Sequence, residues 1–149
     1  VDSKNQIIVA AELTNQAQDG THLPRVINAV KANLNRKPYR LSADAGYFSD
    51  TNLTYLKDEV IAAYIPPDKQ KHNAPKVSAP RGRMPKDISL PDRMRRKLQT
   101  KVGKAEYALR KQTVEPVFGQ IKEARGLRQF LLRGVVKARA EWLMACTAP

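Results

Sequence analysis

The chain has 149 residues, a length that suits one domain, and 42% of them are hydrophobic, enough to build a core. No apolar run approaches the ~18 residues of a membrane span, no signal peptide opens the chain, and the first residue is Val1 rather than Met, which suggests a fragment or an edited copy. The net charge of +13 is one-sided: residues 1–64 carry 7 basic and 7 acidic side chains, and residues 65–149 carry 20 and 7.

Residues 6–13 (QIIVAAEL) are rich in β-branched residues, with Ile7, Val9, Ala11 and Leu13 alternating with Ile8, Ala10 and Glu12, and predict a strand, entered from a tight turn over DSKN at 2–5. Asp19 or Thr21 can cap a helix over 21–35, with Pro24 accommodated in its first turn. Leu23, Val26, Ile27, Val30 and Leu34 form its apolar stripe, and Asn35 and Pro38 end it. A second strand is expected over 39–44, followed by a sharp turn at Gly46 and a short helix over 50–58, capped by Ser49 with Leu53 and Leu56 inward. VIAAYI at 60–65 reads as a third short strand.

From 66 to 104 the character changes. Prolines at 66, 67, 75, 80, 85 and 91, many cations and little periodicity mark a basic insertion or long loop. Within it Asp92 to Thr100 can form a helix with Met94 and Leu98 on one side. Residues 105–125 are helical in pattern, interrupted by Pro116 and stopped by Gly126. After RQFLLRG (128–134), a last helix is expected over 135–147, with Val136, Ala140, Leu143 and Met144 facing inward.

The charge asymmetry exceeds what solubility requires and calls for a polyanionic partner, of which nucleic acid is the common one. Aromatic residues make up only 6% of the chain, so double-stranded DNA bound through its backbone fits better than a single strand stacked on rings. The one cysteine, Cys146, excludes an internal disulfide and reads as a buried structural thiol. His22 and His72 are too far apart and too poor in companions for a zinc site.

Two carboxylates stand where chemistry could occur. Asp44 follows a strand end just before a glycine turn, and Glu115 lies in a helical segment dense in positive charge, with Phe118, Gly119 and Lys122 at +3, +4 and +7. Paired carboxylates can hold two divalent cations that activate water and stabilise the leaving oxygen of a phosphodiester. Each also has a plain structural reading: Asp44 as a strand-end cap, Glu115 as a charge favoured near a helix start. The basic run Arg93–Lys97 reads as a solvated face.

Two strings go further. ADAGYFSDTNL (43–53) resembles the second-aspartate segment of DDE transposases of bacterial insertion sequences, and YALRKQTVEPVFGQIKEARGLRQFLLRG (107–134) resembles their third-carboxylate segment. That family carries Tyr, Arg, Glu and Lys at fixed spacing. Here Tyr107 and Arg110 have the expected spacing, as do Glu115 and Lys122, whereas Arg110 stands one residue too far from Glu115 and Lys111 has the required distance. Either base can therefore take the Arg role.

The resemblance implies an α/β, RNase H-like mixed sheet with flanking helices, here incomplete, spanning 1–149 with 66–104 as an insertion. It makes 6–13 an antiparallel hairpin strand near the sheet edge, where pattern alone makes 6–13, 39–44 and 60–65 three parallel strands. It implies a cytoplasmic, nucleoid-associated bacterial enzyme that cuts and joins DNA at transposon ends with Mg²⁺ or Mn²⁺. Asp44 and Glu115 would be catalytic metal ligands, Tyr107, Arg110, Lys111 and Lys122 would contact DNA, and a homodimer is allowed. The family's first catalytic Asp belongs to a strand before residue 6, and Asp2, in the turn, is a poor substitute. The chain then reads as an inactive, truncated copy. A non-catalytic nucleic-acid-binding module and an RNase H-like nuclease are the competing readings.

Overall fold

The computed structural model describes residues 1–16, 19–69 and 81–147. They form two compact units. The first comprises Val1–Ala17, Arg25–Lys37 and Leu109–Pro149; the second comprises Gln18–Pro24 and Pro38–Ala108.

The second unit holds the sheet. β1 (Arg40–Ser42) and β2 (Ala62–Tyr64) pair in parallel, with Leu41 opposite Ala63. Parallel neighbours need a crossover, and α2 (Asp50–Asp58) supplies it. Its start is the one the sequence predicts: Ser49 is extended, and its hydroxyl accepts from the amide of Asn52 at 3.1 Å. Leu56 is fully buried as expected and Leu53 is half-buried, while Asn52 is buried as well. The Asn52 side-chain amide donates to the carbonyls of Gly20 and Tyr47 at 2.8 and 2.9 Å, which satisfies its burial.

The third predicted strand starts too early. Val60 is in the left-handed region at φ 58 and closes α2. Its amide donates to the Lys57 carbonyl and that of Ile61 to the Leu56 carbonyl, the paired bonds of a Schellman ending. β-Branching at 60 suggested strand, whereas the helix end needs a reversal there, and only then does β2 begin.

Two helices complete this unit. α3 (Leu90–Gln99) starts at Ser89, whose hydroxyl accepts from the Asp92 amide, and buries Met94 and Leu98, the side the sequence indicates. α4 (Lys101–Gly119) begins four residues before the expected 105. Its first turn approaches the end of α3 so closely that a Cβ on Gly103 would lie 2.0 Å from the Lys97 carbonyl oxygen. Residues 70–80, the proline-bearing middle of the expected insertion, lie outside the described residues.

The first unit has no strand among its described residues. Residues 6–13 follow the predicted turn, in which the Asp2 carboxylate accepts from the Asn5 amide at 2.9 Å, but they pair with no neighbour. The Val9 carbonyl takes its hydrogen bond from the Asn33 side chain on α1 (Leu23–Leu34) at 2.8 Å. α1 follows a 3-10 turn, Asp19–His22, that with Leu23 belongs to the second unit; of the predicted stripe Leu23, Ile27 and Val30 are buried, while Leu34 is exposed. Asn35, at φ 50, ends it as expected.

In this unit α4 buries Thr113 and Val117 on one side, and a π-turn, Gln120–Ala124, continues that side with Ile121. α5 (Val135–Thr147) spans the predicted range but turns the other way. Ala138 is buried and Trp142 half-buried, whereas Val136, Leu143 and Met144 are 84%, 39% and 74% exposed and Ala140 is exposed. The helix follows Trp142, whose ring stacks on Phe118 and meets Phe130 edge-on. The architecture is thus helix-rich with a small parallel sheet, compatible with a partial α/β fold.

Candidate functional site

The predicted site residues divide between the units. Asp44 and Tyr107 belong to the second; Arg110, Lys111, Glu115 and Lys122 belong to the first.

Asp44 stands two residues beyond β1 with extended backbone and caps the 3-10 turn Ala45–Tyr47. One carboxylate oxygen, Oδ1, accepts from the Gly46 amide at 3.1 Å. The strand that delivers it is fixed against the start of α4: Arg40 forms an ion pair with Glu106, and the Ser42 hydroxyl reaches the Glu106 carbonyl at 3.4 Å. Tyr107, the next residue, is half-buried. The strand bearing Asp44 and the helix turn bearing Tyr107 therefore meet within one unit.

Glu115 lies on the exposed side of α4, opposite Thr113 and Val117, and Lys111 is exposed one turn before it. Arg110 is half-buried. Pro116 follows Glu115 directly and has no amide hydrogen, so the Gln112 carbonyl cannot receive the usual helical bond. Gln6 replaces it: its side-chain amide donates to that carbonyl at 2.9 Å. Lys122 is exposed but sits in the π-turn, where the Arg125 amide bonds to the Gln120 carbonyl five residues back. The wider turn shifts Lys122 from the α-helical +7 position over Glu115; such turns are frequent at functional sites.

The basic run 93–97 is largely occupied within the second unit. Arg95 binds Asp68 through two hydrogen bonds, of 2.7 and 3.0 Å, and also pairs with Asp92. Arg96 donates to the carbonyls of Arg81, Gly82 and Arg83. Lys97 donates to the Ala63 carbonyl at 2.7 Å over the Tyr64 ring, and its burial lowers its pKa. Only Arg93 fits the solvated-face reading without such a partner. Charge alone could not separate these cations from those of the last third of the chain, where Lys111, Lys122, Arg133 and Lys137 are exposed.

Sequence reasoning missed a cleft of about 490 Å³ between α2, β2 and α3, lined by Leu53, Ile61, Met84 and Met94 with Lys57 and Arg93 at its edge. None of the candidate catalytic residues lines it. Cys146 is half-buried, with its thiol pKa raised by desolvation against the opposing charge of Arg125, which fits an inert thiol.

The resemblance implies a site for divalent metal ions. Among the described residues no three His, Cys, Asp or Glu side chains come together in a group that could hold one. Asp2 is engaged in its own turn, and Asp44 and Glu115 stand in different units.

Residues 79–149 match the family model of the transposase DDE domain. The match covers α3, α4, the π-turn and α5, with Tyr107, Arg110, Lys111, Glu115 and Lys122 inside it. Neither the curated proteins nor the solved structures yield a match. No helix among the described residues is long and apolar enough to cross a membrane.

Proposed function

We propose that the chain is part of an RNase H-like catalytic domain of an insertion-sequence transposase. In the complete enzyme the domain breaks and rejoins double-stranded DNA at transposon ends. The observation that carries this reading is the family match over 79–149, centred on a helix whose exposed side presents Lys111 and Glu115. We assign Asp44 and Glu115 as its Mg²⁺ or Mn²⁺ ligands. Lys111 is the better candidate for the Arg position, because it shares the exposed side and the spacing of Glu115, while Arg110 is half-buried. Tyr107 and Lys122 hold phosphates near the scissile bond.

Among the described residues no three metal-ligating side chains form a group, and we propose that the 149-residue chain binds DNA without cutting it. Phosphate contacts from exposed cations do not depend on a metal. The test joins two measurements on the same chain: duplex affinity against salt, and strand cleavage with Mg²⁺ or Mn²⁺. A steep salt dependence without cleavage is expected. Metal-dependent cleavage abolished by Glu115→Ala would overturn the inactive assignment. Failure to bind duplex DNA would overturn the DNA-binding reading as well.

A further inference from the structure

The segment Leu127–Gly134 is absorbed by none of the roles above, and its geometry is unusual. It runs between two glycines in the left-handed region, Gly126 at φ 69 and Gly134 at φ 86. Its base is anchored twice: the Phe130 ring sits edge-on to Trp142 at 6.5 Å, and the Glu141 carboxylate accepts from the amides of Leu131 and Leu132 at 3.0 and 3.1 Å. A charged acceptor on two successive amides makes a strong, directional clamp. The clamp does not bury the side chains: Leu131 is 79% exposed and Leu132 48% exposed. Two consecutive leucines, exposed beside cations on a clamped backbone, make an apolar tip suited to a partner.

The charges around the leucines say which partner. Arg128 and Arg133 flank them, and Lys137 follows one turn into α5; all three are exposed. Arg128 is paired with Glu123, and both side chains are about 70% and 67% exposed, so water screens that pair. A second copy of this surface would set like charges against one another. A polyanion with apolar planes between its charges meets both features, and duplex DNA is such a molecule. Apolar side chains that part base steps from the minor groove, with cations on the neighbouring phosphates, are an established mode of DNA contact.

We propose that residues 128–133 are a DNA-contacting wedge, in which Leu131 and Leu132 enter the minor groove at one base step and Arg128 and Arg133 hold the flanking phosphates. Glu141 is a positioning residue that fixes the wedge. The proposal rests on the reading of the chain as a DNA-binding transposase segment.

The experiment uses the full chain and a set of duplexes carrying, at successive steps, a fluorescent adenine analogue whose emission rises on unstacking. The wild-type chain is expected to raise the emission on binding, and Leu131→Ser with Leu132→Ser to abolish the rise while the salt dependence of affinity stays unchanged. Arg133→Ala is expected to lower the salt slope by about one. Glu141→Gln is expected to diminish the fluorescence rise at an unchanged salt slope. All these positions except Glu141 are exposed, so a circular-dichroism spectrum matching the wild type is expected for the leucine and arginine variants. Duplex binding without any fluorescence rise would overturn the wedge and leave the DNA reading standing; absence of duplex binding would overturn both. A dimer in sedimentation that the leucine substitutions dissolve would overturn it in favour of a second copy.

Discussion

The side chain of Gln6 supplies a hydrogen bond that Pro116 withholds from Gln112. The amide nitrogen of Gln6 lies 2.9 Å from the Gln112 carbonyl oxygen, the acceptor that residue 116 would serve in an uninterrupted helix. Gln6 itself adopts a left-handed backbone, φ 57, at the close of the turn begun by Asp2, whose carbonyl accepts from its amide at 3.0 Å. The segment that fails to become a strand thus stabilises the helix that carries Glu115.

This relationship predicts coupled stability. Gln6→Ala should cost about 1 kcal/mol in the native chain, the usual net value of one hydrogen bond. In a Pro116→Ala background the new backbone amide serves Gln112, so the cost should shrink by about 0.5 kcal/mol or more. Urea unfolding of the four proteins of the cycle measures the difference; strictly additive effects would show that the two residues act independently.

Val60→Gly should stabilise the second unit. A β-branched residue in the left-handed region bears a strain of about 1–2 kcal/mol, and glycine returns about 0.5–1 kcal/mol of that through its freer unfolded chain. Val60 is 73% exposed, so little packing is lost. The net expectation is a gain on the order of 0.5–1 kcal/mol, read as a higher unfolding midpoint. An unchanged or lowered midpoint would contradict it.

Gly103→Ala should act in the opposite direction. The added carbon would lie 2.0 Å from the Lys97 carbonyl oxygen and 2.9 Å from the Leu98 Cα, both backbone atoms that cannot rotate away. The α3–α4 junction must open, which also strains the bond from the Gly103 amide to the Thr100 hydroxyl at 3.0 Å. Overpacking of this kind costs about 1–3 kcal/mol. Thermal unfolding checks it, and a wild-type midpoint would refute the close approach.

Acid should loosen the Asp68–Arg95–Asp92 group. The hydrogen bond from Arg95 holds the Asp68 carboxyl below its ordinary range, and those from Ser89 and then Arg95 do the same for Asp92. With folded pKa values below the unfolded one, the native state binds fewer protons. The stabilisation is therefore present above about pH 4 and is lost as pH falls through the folded values. Both carboxylates are solvent-exposed, so the effect is small and shrinks with salt. Comparing Tm against pH for the native chain and Asp68→Asn with Asp92→Asn should show curves that converge at low pH; a gap that persists there would refute the assignment.

What could be read from the sequence alone was what is local. Ser49 as a cap, the Leu23–Ile27–Val30 stripe, Met94 and Leu98 as the inner side of α3, and the left-handed Asn35 all rest on contacts within a few residues. So does the string around Glu115, which the family match over 79–149 supports. Tertiary structure decided the rest. Residues 6–13 have strand composition, but a strand exists only when a neighbour accepts its ladder, and here Asn33 takes the Val9 carbonyl instead. The apolar residues of α5 offered an inner side, but a helix turns according to what it packs on, and Trp142 packs between Phe118 and Phe130, leaving Val136 and Met144 outside. Likewise the cations at 95–97 read as a solvated face until Asp68, the carbonyls of 81–83 and Ala63 came within reach. A charged side chain's partner is set by which distant backbone folds beside it, and spacing along the chain does not encode that distance.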